Sequence, residues 1–282
     1  MNIICISISA LVVFFGLPTN AFAQSQAKVM PAVSDEWRFS VSPYVWAVGV
    51  SGDVTTNKGR STTANLDTNS VINDLRGGAM ISGEAHKGNW GLAMDFINAN
   101  LQNKPAKTAS GPYPADPAVT VNADLSTKVN LKDTILSAAA TYTFLNNSSI
   151  YADALLGARF ISTTASVKAN LTVTGTVDGQ PVANASITRY PSMTTNTTDP
   201  IIGFKGRYRI ADSTWFIPFY GDIGSGGGTT NLTWQAMLGV AKAYDWGDVS
   251  LGYRALYYDM KSTGSLQKVT FSGAILGVTV SF

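Results

Sequence analysis

The stretch Gly273–Phe282, GAILGVTVSF, decides how the rest of the chain is read. Ala274, Leu276, Val278, Val280 and Phe282 fall on one phase of a two-residue period, and Gly273, Gly277, Thr279 and Ser281 fall on the other. That alternation predicts a strand with one apolar face. It runs to a final aromatic residue, where a soluble domain commonly ends in a polar, frayed segment. The last residue is therefore expected inside a sheet.

Working outward, the same period recurs along most of the chain, and no segment keeps a helical period over three turns. Ten strands are predicted: Trp37–Val50, Arg76–His86, Trp90–Leu101, Lys132–Phe144, Ile150–Thr163, Pro200–Ile210, Trp215–Ile223, Leu232–Tyr244, Val249–Tyr258 and Val269–Phe282. The connections alternate between long and tight. KGN near Gly88, LNNSS near Asn147, ADS near Asp212 and DWGD near Gly247 are tight. The Ser51–Leu75 stretch, the Pro-rich stretch from Gln102 to Val121, the stretch from Ala165 to Thr198, GSGGGTTN and KSTGSLQ are read as loops on the other side. Membrane barrels have short turns on one side and long loops on the other, with an even strand count bringing both termini to the short-turn side. The fold expected is all-β: a single antiparallel up-and-down transmembrane barrel of about ten strands with both termini periplasmic. Eight and twelve strands remain open.

Side-chain phase sharpens this reading. A charge facing lipid at mid-bilayer costs about 2–4 kcal/mol, so strand charges should gather on the lumen phase. Val249-Leu251-Tyr253-Ala255, Ile202-Phe204-Gly206-Tyr208, Ala154-Leu156-Ala158-Phe160, Leu136-Ala138-Ala140-Tyr142 and Trp90-Leu92-Met94-Phe96 are the apolar phases. The opposite phases hold Arg38, Glu84, Asp95, Asp153, Arg159, Lys205, Arg207, Arg209, Asp222 and Arg254, which are predicted to line the lumen. Lys242 is an exception near a tight turn, where its amine can snorkel to the interface. Aromatic residues mark two belts. Trp37, Trp90, Phe144, Tyr151, Tyr208, Trp215, Tyr244, Trp246 and Phe282 lie by the tight turns, and Tyr44, Trp46, Phe96, Phe160, Trp234, Tyr257 and Phe271 lie toward the loops. The phase of the first strand is open around Pro43 and Gly49, where a bulge would flip Trp46 outward.

Composition agrees. Charged residues are only 13% of 282, against about a quarter in ordinary soluble domains. The net charge of +2 comes without a basic cluster, so no nucleic-acid partner is expected. Residues 1–23, MNIICISISALVVFFGLPTNAFA, read as a signal peptide cut after Ala23, a retained anchor being the alternative. The only cysteine, Cys5, lies within it, so disulfides and thiolate chemistry are excluded from the mature chain. Residues 24–36 then form a periplasmic N-terminal segment and 37–282 the barrel.

An alternating terminal strand ending in Phe resembles the signal by which outer-membrane proteins meet the barrel-assembly machinery. WRFSVSPYVWAVGVSGDV, GAMISGEAHKGNWGLAMDF and FYGDIGSGGGTTNLTWQAMLGVAKAYDWGDVSLGYRALYYDM resemble a group of poorly characterised proteobacterial outer-membrane β-barrel proteins, small porin-like and OmpA-like barrels of the Gram-negative envelope. The resemblance implies an outer-membrane location, with lipid and lipopolysaccharide as surroundings. It supplies no catalytic residue.

The chemistry is sparse. His86 is the only histidine, and it lies beside a tight turn, far from outer-leaflet lipid. Glu84, Asp95, Asp153 and Asp222 are expected to pair with the lumen cations, not to act as an acid–base pair. GSGGG at Gly224–Gly228 lacks the following Lys-Ser/Thr of a phosphate loop, so it reads as a hairpin. Calcium ligation by Asp53, Asp67 and Asp74 lacks ligand spacing. No cofactor, metal or catalytic residue is expected. Two functions remain. One is a structural barrel or restricted small-solute pore with a mildly basic lumen. The other is a surface receptor or adhesin acting through long loops, especially residues 165–198.

Overall fold

The computed structural model describes residues 29–55, 61–66, 68–104, 106–226, 230–261 and 266–282. The signal-peptide expectation for residues 1–23, with Cys5, and the calcium expectation at Asp67 lie outside them, as do parts of the expected GSGGGTTN and KSTGSLQ loops. The strands are β1 (Arg38–Thr55), β2 (Ser61–Leu66), β3 (Leu75–Lys87), β4 (Trp90–Asn103), β5 (Ala106–Tyr113), β6 (Asp116–Asn146), β7 (Ile150–Val177), β8 (Gln180–Arg189), β9 (Ser192–Arg209), β10 (Trp215–Gly224), β11 (Thr230–Tyr244), β12 (Gly247–Met260) and β13 (Leu266–Ser281). A short helix, α1 (Thr68–Asp74), packs against β1 and β4.

Ten of these strands close a barrel in the order β1-β3-β4-β6-β7-β9-β10-β11-β12-β13, every neighbouring pair antiparallel, with β13 returning to β1. The closing seam runs to the chain's last residue. Phe39 N–H donates to the Phe282 carbonyl at 2.8 Å, and Phe282 N–H donates to the Phe39 carbonyl at 2.9 Å. The Trp37, Phe39 and Phe282 rings stack in succession at 5.8 and 5.9 Å. The terminal alternation thus closes the cylinder, and both ends of the barrel chain lie at the tight-turn rim.

The alternation sorts side chains as the membrane requires. Leu92, Met94, Leu156, Ile202, Phe204, Leu238, Leu251, Tyr253 and Leu276 are exposed on the outside, whereas Asp153, Arg159, Asp222 and Arg254 are buried within. Near the tight turns Trp90 packs edge-on to Tyr142, and Tyr244 stacks on Trp246. Lys242 lies over the Trp215 and Tyr244 rings, at 5.6 and 5.2 Å from their centroids, as a snorkelling cation does. Trp234 stacks on Tyr257 at the opposite boundary.

The belt assignment fails for four aromatics, although two-residue parity with Arg38, Asp153 and Gly273 already puts them on the lumen phase. Tyr44, Trp46, Tyr151 and Phe271 turn into the bore and not into a belt. In β1 the small polar Ser40 and Ser42 share a phase with Tyr44 and Trp46, and the exposed phase is Phe39 and Val45. The β1–β13 register stays unbroken from Ser40 to Asp53, so no bulge intervenes at Pro43 or Gly49.

The larger correction concerns the loops. The Gln102–Val121 and Ala165–Thr198 stretches are mostly strand. β6 has 31 residues and β7 has 28, about three times the 9–11 that span a bilayer. They pair from Asn146↔Tyr151 to Thr120↔Thr176, with one register shift between Thr143 and Leu145 and none from Thr143↔Asp153 onward. β5 adds to the free side of β6 and β8 to the free side of β7, which makes a four-stranded sheet β5-β6-β7-β8 beyond the barrel. Its tip turn at Asp178-Gly179 has φ of 49° and 76°. Two positive φ values in a two-residue loop define a type I′ hairpin, for which Asp-Gly is a favoured pair. The Ser51–Leu75 stretch likewise contains the end of β1, β2 and α1.

Candidate functional site

Two features offer function: the bore and the projecting sheet. The bore is filled in layers. At the tight-turn rim, Arg38 Nη2 donates to the Gly88 carbonyl at 3.3 Å. Arg209 folds onto its own turn, donating to the Ser213 and Asp212 carbonyls at 2.8 and 3.0 Å. Arg207 Nη1 donates to Asp248 Oδ2 at 3.0 Å and to the Val29 carbonyl at 3.1 Å, with its guanidinium 4.4 Å over the Phe216 ring. Val29 is buried against Phe216, Ala241 and Ala243, so the chain ahead of β1 enters the mouth of the barrel. Ser34 holds it there by accepting from Gly88 N–H at 2.7 Å.

Above the rim lies a cluster of Glu84, His86, Asp153 and Lys205. Lys205 pairs with Glu84, and its Nζ is 3.9 Å from Asp153 Oδ2. His86 Nε2 is 3.2 Å from Glu84 Oε2 and 4.0 Å from Asp153 Oδ2. Thr143 donates to Asp153 Oδ1 at 2.7 Å and lies 3.0 Å from the Tyr151 hydroxyl.

The next layer is two ionic networks. Arg254 Nη2 donates to Asp95 Oδ2 at 2.5 Å and to Gln235 Oε1 at 2.8 Å, and Nη1 donates to the Tyr44 hydroxyl at 2.9 Å. Tyr44 in turn donates to Asp95 Oδ1 at 2.6 Å, and the Trp46 ring centroid lies 5.0 Å from the guanidinium. Arg159 pairs with Asp222, and donates to Ser137 at 3.2 Å and Thr233 at 3.3 Å. The Tyr220 hydroxyl donates to Asp222 Oδ2 at 2.5 Å. A buried pair is stable only when its remaining donors and acceptors are also met, and most here are. Beyond them Trp46, Ile97, Ile135, Ile161, Leu256 and Tyr258 form an apolar cluster, with Met80, Met260 and Phe271 packed on it. These residues come from β1, β3, β4, β6, β7, β12 and β13, so side chains cross the bore. A cavity of about 570 Å³ remains in the tight-turn half, lined by Ser42, Glu84, Asp95, Lys205 and Arg254 among others.

The ten charged residues singled out from sequence thus fall into three groups. Arg38, Arg207 and Arg209 make rim contacts. Glu84, Asp153 and Lys205 belong to the histidine cluster. Asp95 with Arg254, and Arg159 with Asp222, form the ionic networks. Asp199 and Asp248 were missed. Asp199 is fully buried, accepts from Thr197 and carries the phase of Lys205. Asp248 carries the phase of Arg254. Extending the parity count into each strand end finds both. The Gly224–Gly226 part of GSGGG is a hairpin connection, with the Ser225 hydroxyl donating to the Asn231 carbonyl at 2.7 Å.

The projecting sheet has two unlike faces. On the phase continuous with the bore lie Val121, Ala123, Leu125, Val129 and Leu131 of β6, Val167, Leu171 and Val173 of β7, and Ala183, Ala185 and Ile187 of β8. On the other phase lie Asn122, Asp124, Ser126, Lys128 and Asn130 facing Thr174, Thr172, Asn170, Lys168 and Ser166. The outward apolar row ends at Leu136 and Phe160, so the sheet above it stands clear of lipid. From Lys128, the first β6 residue past its ladder with β4, to Thr120, at about 3.4 Å per residue, it extends roughly 27 Å along the strands.

No family model matches the chain, and no curated protein does. Solved structures do. The outer membrane protease OmpT from Escherichia coli is similar at 11% identity and a TM-score of 0.50, over 88% of this chain and 97% of that one. Ail, the attachment invasion locus protein of Yersinia pestis, aligns over 88% of this chain and 99% of its own at 12% identity and a TM-score of 0.31. The translocator domain of the autotransporter NalP from Neisseria meningitidis aligns over 87% and 88%, at 11% identity and a TM-score of 0.34. At such identities the likeness is one of fold: this chain is an outer-membrane-type β-barrel.

Proposed function

We propose that the protein is a non-enzymatic outer-membrane barrel that works as a surface-binding protein, presenting the β5–β8 sheet outward, with its tight-turn rim and both barrel termini toward the periplasm. The observation that carries this is the projecting sheet, hydrogen-bonded without a break into barrel strands β6 and β7. A solute pore has no use for a stiff extension of that length, whereas recognition from a rigid scaffold does. The two edges of the sheet also differ. β5 carries Lys107 and Pro112, devices that discourage strand addition, while the run Val182–Thr188 of β8 has neither charge nor proline. Its second edge is unpaired among the described residues, which suits a partner that adds an extended segment.

The pore reading draws support from the 570 Å³ cavity, but two observations weigh against it. The apolar cluster crosses the bore. Arg159, Lys205, Arg207 and Arg254 are each paired with a carboxylate, which removes the basic field an anion path would use.

The test is excision of residues 104–128 and 166–192. Asn103 would be joined to Val129 and Ala165 to Met193 through two-residue turns, since each pair already faces across a ladder. The trimmed barrel should still migrate differently on gels with and without boiling, yet lose surface attachment or phage adsorption. The intact protein should give a closed trace in a planar bilayer. Attachment that survives the excision, or steady conductance by the intact barrel, overturns the reading.

A further inference from the structure

The cluster Glu84–His86–Asp153 is chemically unlike the other ionic groups of the bore. Arg254 and Arg159 are each held by three side-chain hydrogen bonds, and each bonds its carboxylate partner directly. Asp153 has no such bond to a cation. Its side chain is fully buried, Oδ1 accepts from Thr143, and Oδ2 has no hydrogen-bond partner. Lys205 Nζ and His86 Nε2 lie 3.9 and 4.0 Å from that oxygen, beyond hydrogen-bonding range. A buried carboxylate oxygen left in that position costs free energy unless something else meets it.

The surroundings say what that something is. His86 Nε2, a Glu84 oxygen and an Asp153 oxygen all lie within 4.8 Å of one another. One imidazole nitrogen and two carboxylate oxygens form a donor set for a divalent transition metal of the zinc type. Calcium is disfavoured, since it requires six to eight oxygens. Tetrahedral bonds of about 2.0–2.2 Å place ligand atoms some 3.3–3.6 Å apart. The His86–Glu84 separation of 3.2 Å is already there, and the His86–Asp153 separation of 4.0 Å needs only a small contraction.

Local sequence makes the convergence possible. Glu84 and His86 are two residues apart on β3 and share its inner face, while Asp153 comes from β7, with β4 and β6 between. His86 lies across β4 because its partner there is Gly91. A Cβ at Gly91 would meet His86 Nδ1 at 2.5 Å and Thr141 Oγ1 at 2.6 Å.

We infer that Glu84, His86 and Asp153 bind a divalent transition-metal ion of the zinc class in the bore, in competition with the Lys205 ammonium. Lys205 reaches the cluster from β9 on a flexible stem and pairs with Glu84. Binding a metal therefore means swinging that amine toward the adjoining cavity, which Glu84, His86 and Lys205 all line. The lysine lowers affinity and makes the site responsive to whatever else the amine can pair with. This inference does not depend on what the projecting sheet binds.

The experiment uses the full mature barrel folded in detergent, treated with chelator, then titrated with zinc by calorimetry and with cobalt by visible absorption. One ion per barrel is expected, with a cobalt spectrum of tetrahedral nitrogen–oxygen type. Lys205→Met should tighten binding at least ~10-fold, while Asp153→Asn and His86→Ala should each weaken it at least ~100-fold. Zinc should also raise the unfolding midpoint of the native barrel and of Lys205→Met but not that of Asp153→Asn, which keeps a side chain able to meet Thr143. Should His86→Ala fail to fold, the native and Asp153→Asn pair decides alone. No heat with either the native barrel or Lys205→Met, or binding unchanged in Asp153→Asn, overturns the assignment.

Discussion

Arginine substitution along one outward row of β7 tests where the bilayer ends. The row is Ala154, Leu156, Ala158, Phe160, Ser162, Thr164, then on to Thr172 in the projecting sheet. On the neighbouring β6 the outward apolar residues run from Phe144 to Leu136. That is eight steps of about 3.4 Å, which at a tilt of about 40° gives some 21 Å of height, close to the ~25 Å apolar band of such barrels. Leu156 is six residues on from the start of β7 and 65% exposed, which puts it near the middle of that band. Leu156→Arg should therefore cost about 2–4 kcal/mol, a shift of roughly 30- to 900-fold in the folding equilibrium. Ser162→Arg should cost ~0–1 kcal/mol and Thr172→Arg less than ~0.5 kcal/mol. The assay is reversible urea unfolding of the barrel in lipid vesicles, followed by tryptophan fluorescence. A flat profile, or a cost at Thr172 matching that at Leu156, would refute the placement of both the membrane and the sheet.

Other outcomes follow from the bore and the seam. Arg254→Met leaves Asp95 buried without its cation and should cost about 3–5 kcal/mol, whereas Arg254→Met combined with Asp95→Leu should recover much of it; urea midpoints in the same vesicles measure the difference. Phe282→Ala removes the ring stacked on Phe39 and should lower the unfolding free energy by about 1 kcal/mol, with slower appearance of the heat-modifiable band during refolding. Gly91→Ala pushes a methyl group into the space of His86 and Thr141, so it should destabilise the barrel by about 1–3 kcal/mol and weaken zinc binding measured by calorimetry.

The barrel was legible because lipid imposes a simple rule on alternate residues. Leu251 and Tyr253 against Arg254, or Leu156 against Asp153 and Arg159, can be sorted by parity alone, and the folded chain sorts them the same way. Where no lipid imposes that rule, the reading loses its grip. ANLTVTGTVDGQ alternates as regularly as any barrel strand and carries an Asp-Gly turn, yet its Thr- and Asn-rich second face resembles loop composition. The strand ran on because β6 offered it a ladder, not because a bilayer required one. The aromatics of β1 failed for a related reason. Trp46 is large and apolar, which suggests a belt, yet it shares the phase of Arg38 and the neighbouring serines and sits against the guanidinium of Arg254 in the bore. The Asp153–His86 convergence depends on a missing methyl on β4, which no spacing rule within β3 or β7 discloses.

The long pairing of β6 with β7 has a mechanical consequence. Tension applied at the Asp178-Gly179 tip is passed along the strand axes into the wall, where β6 is also laddered to β4 and β7 to β9. To pull β7 out, its rungs to β6 and to β9 must slide together under shear; they cannot be peeled one at a time. A load gripped at that tip is thus carried by the whole cylinder.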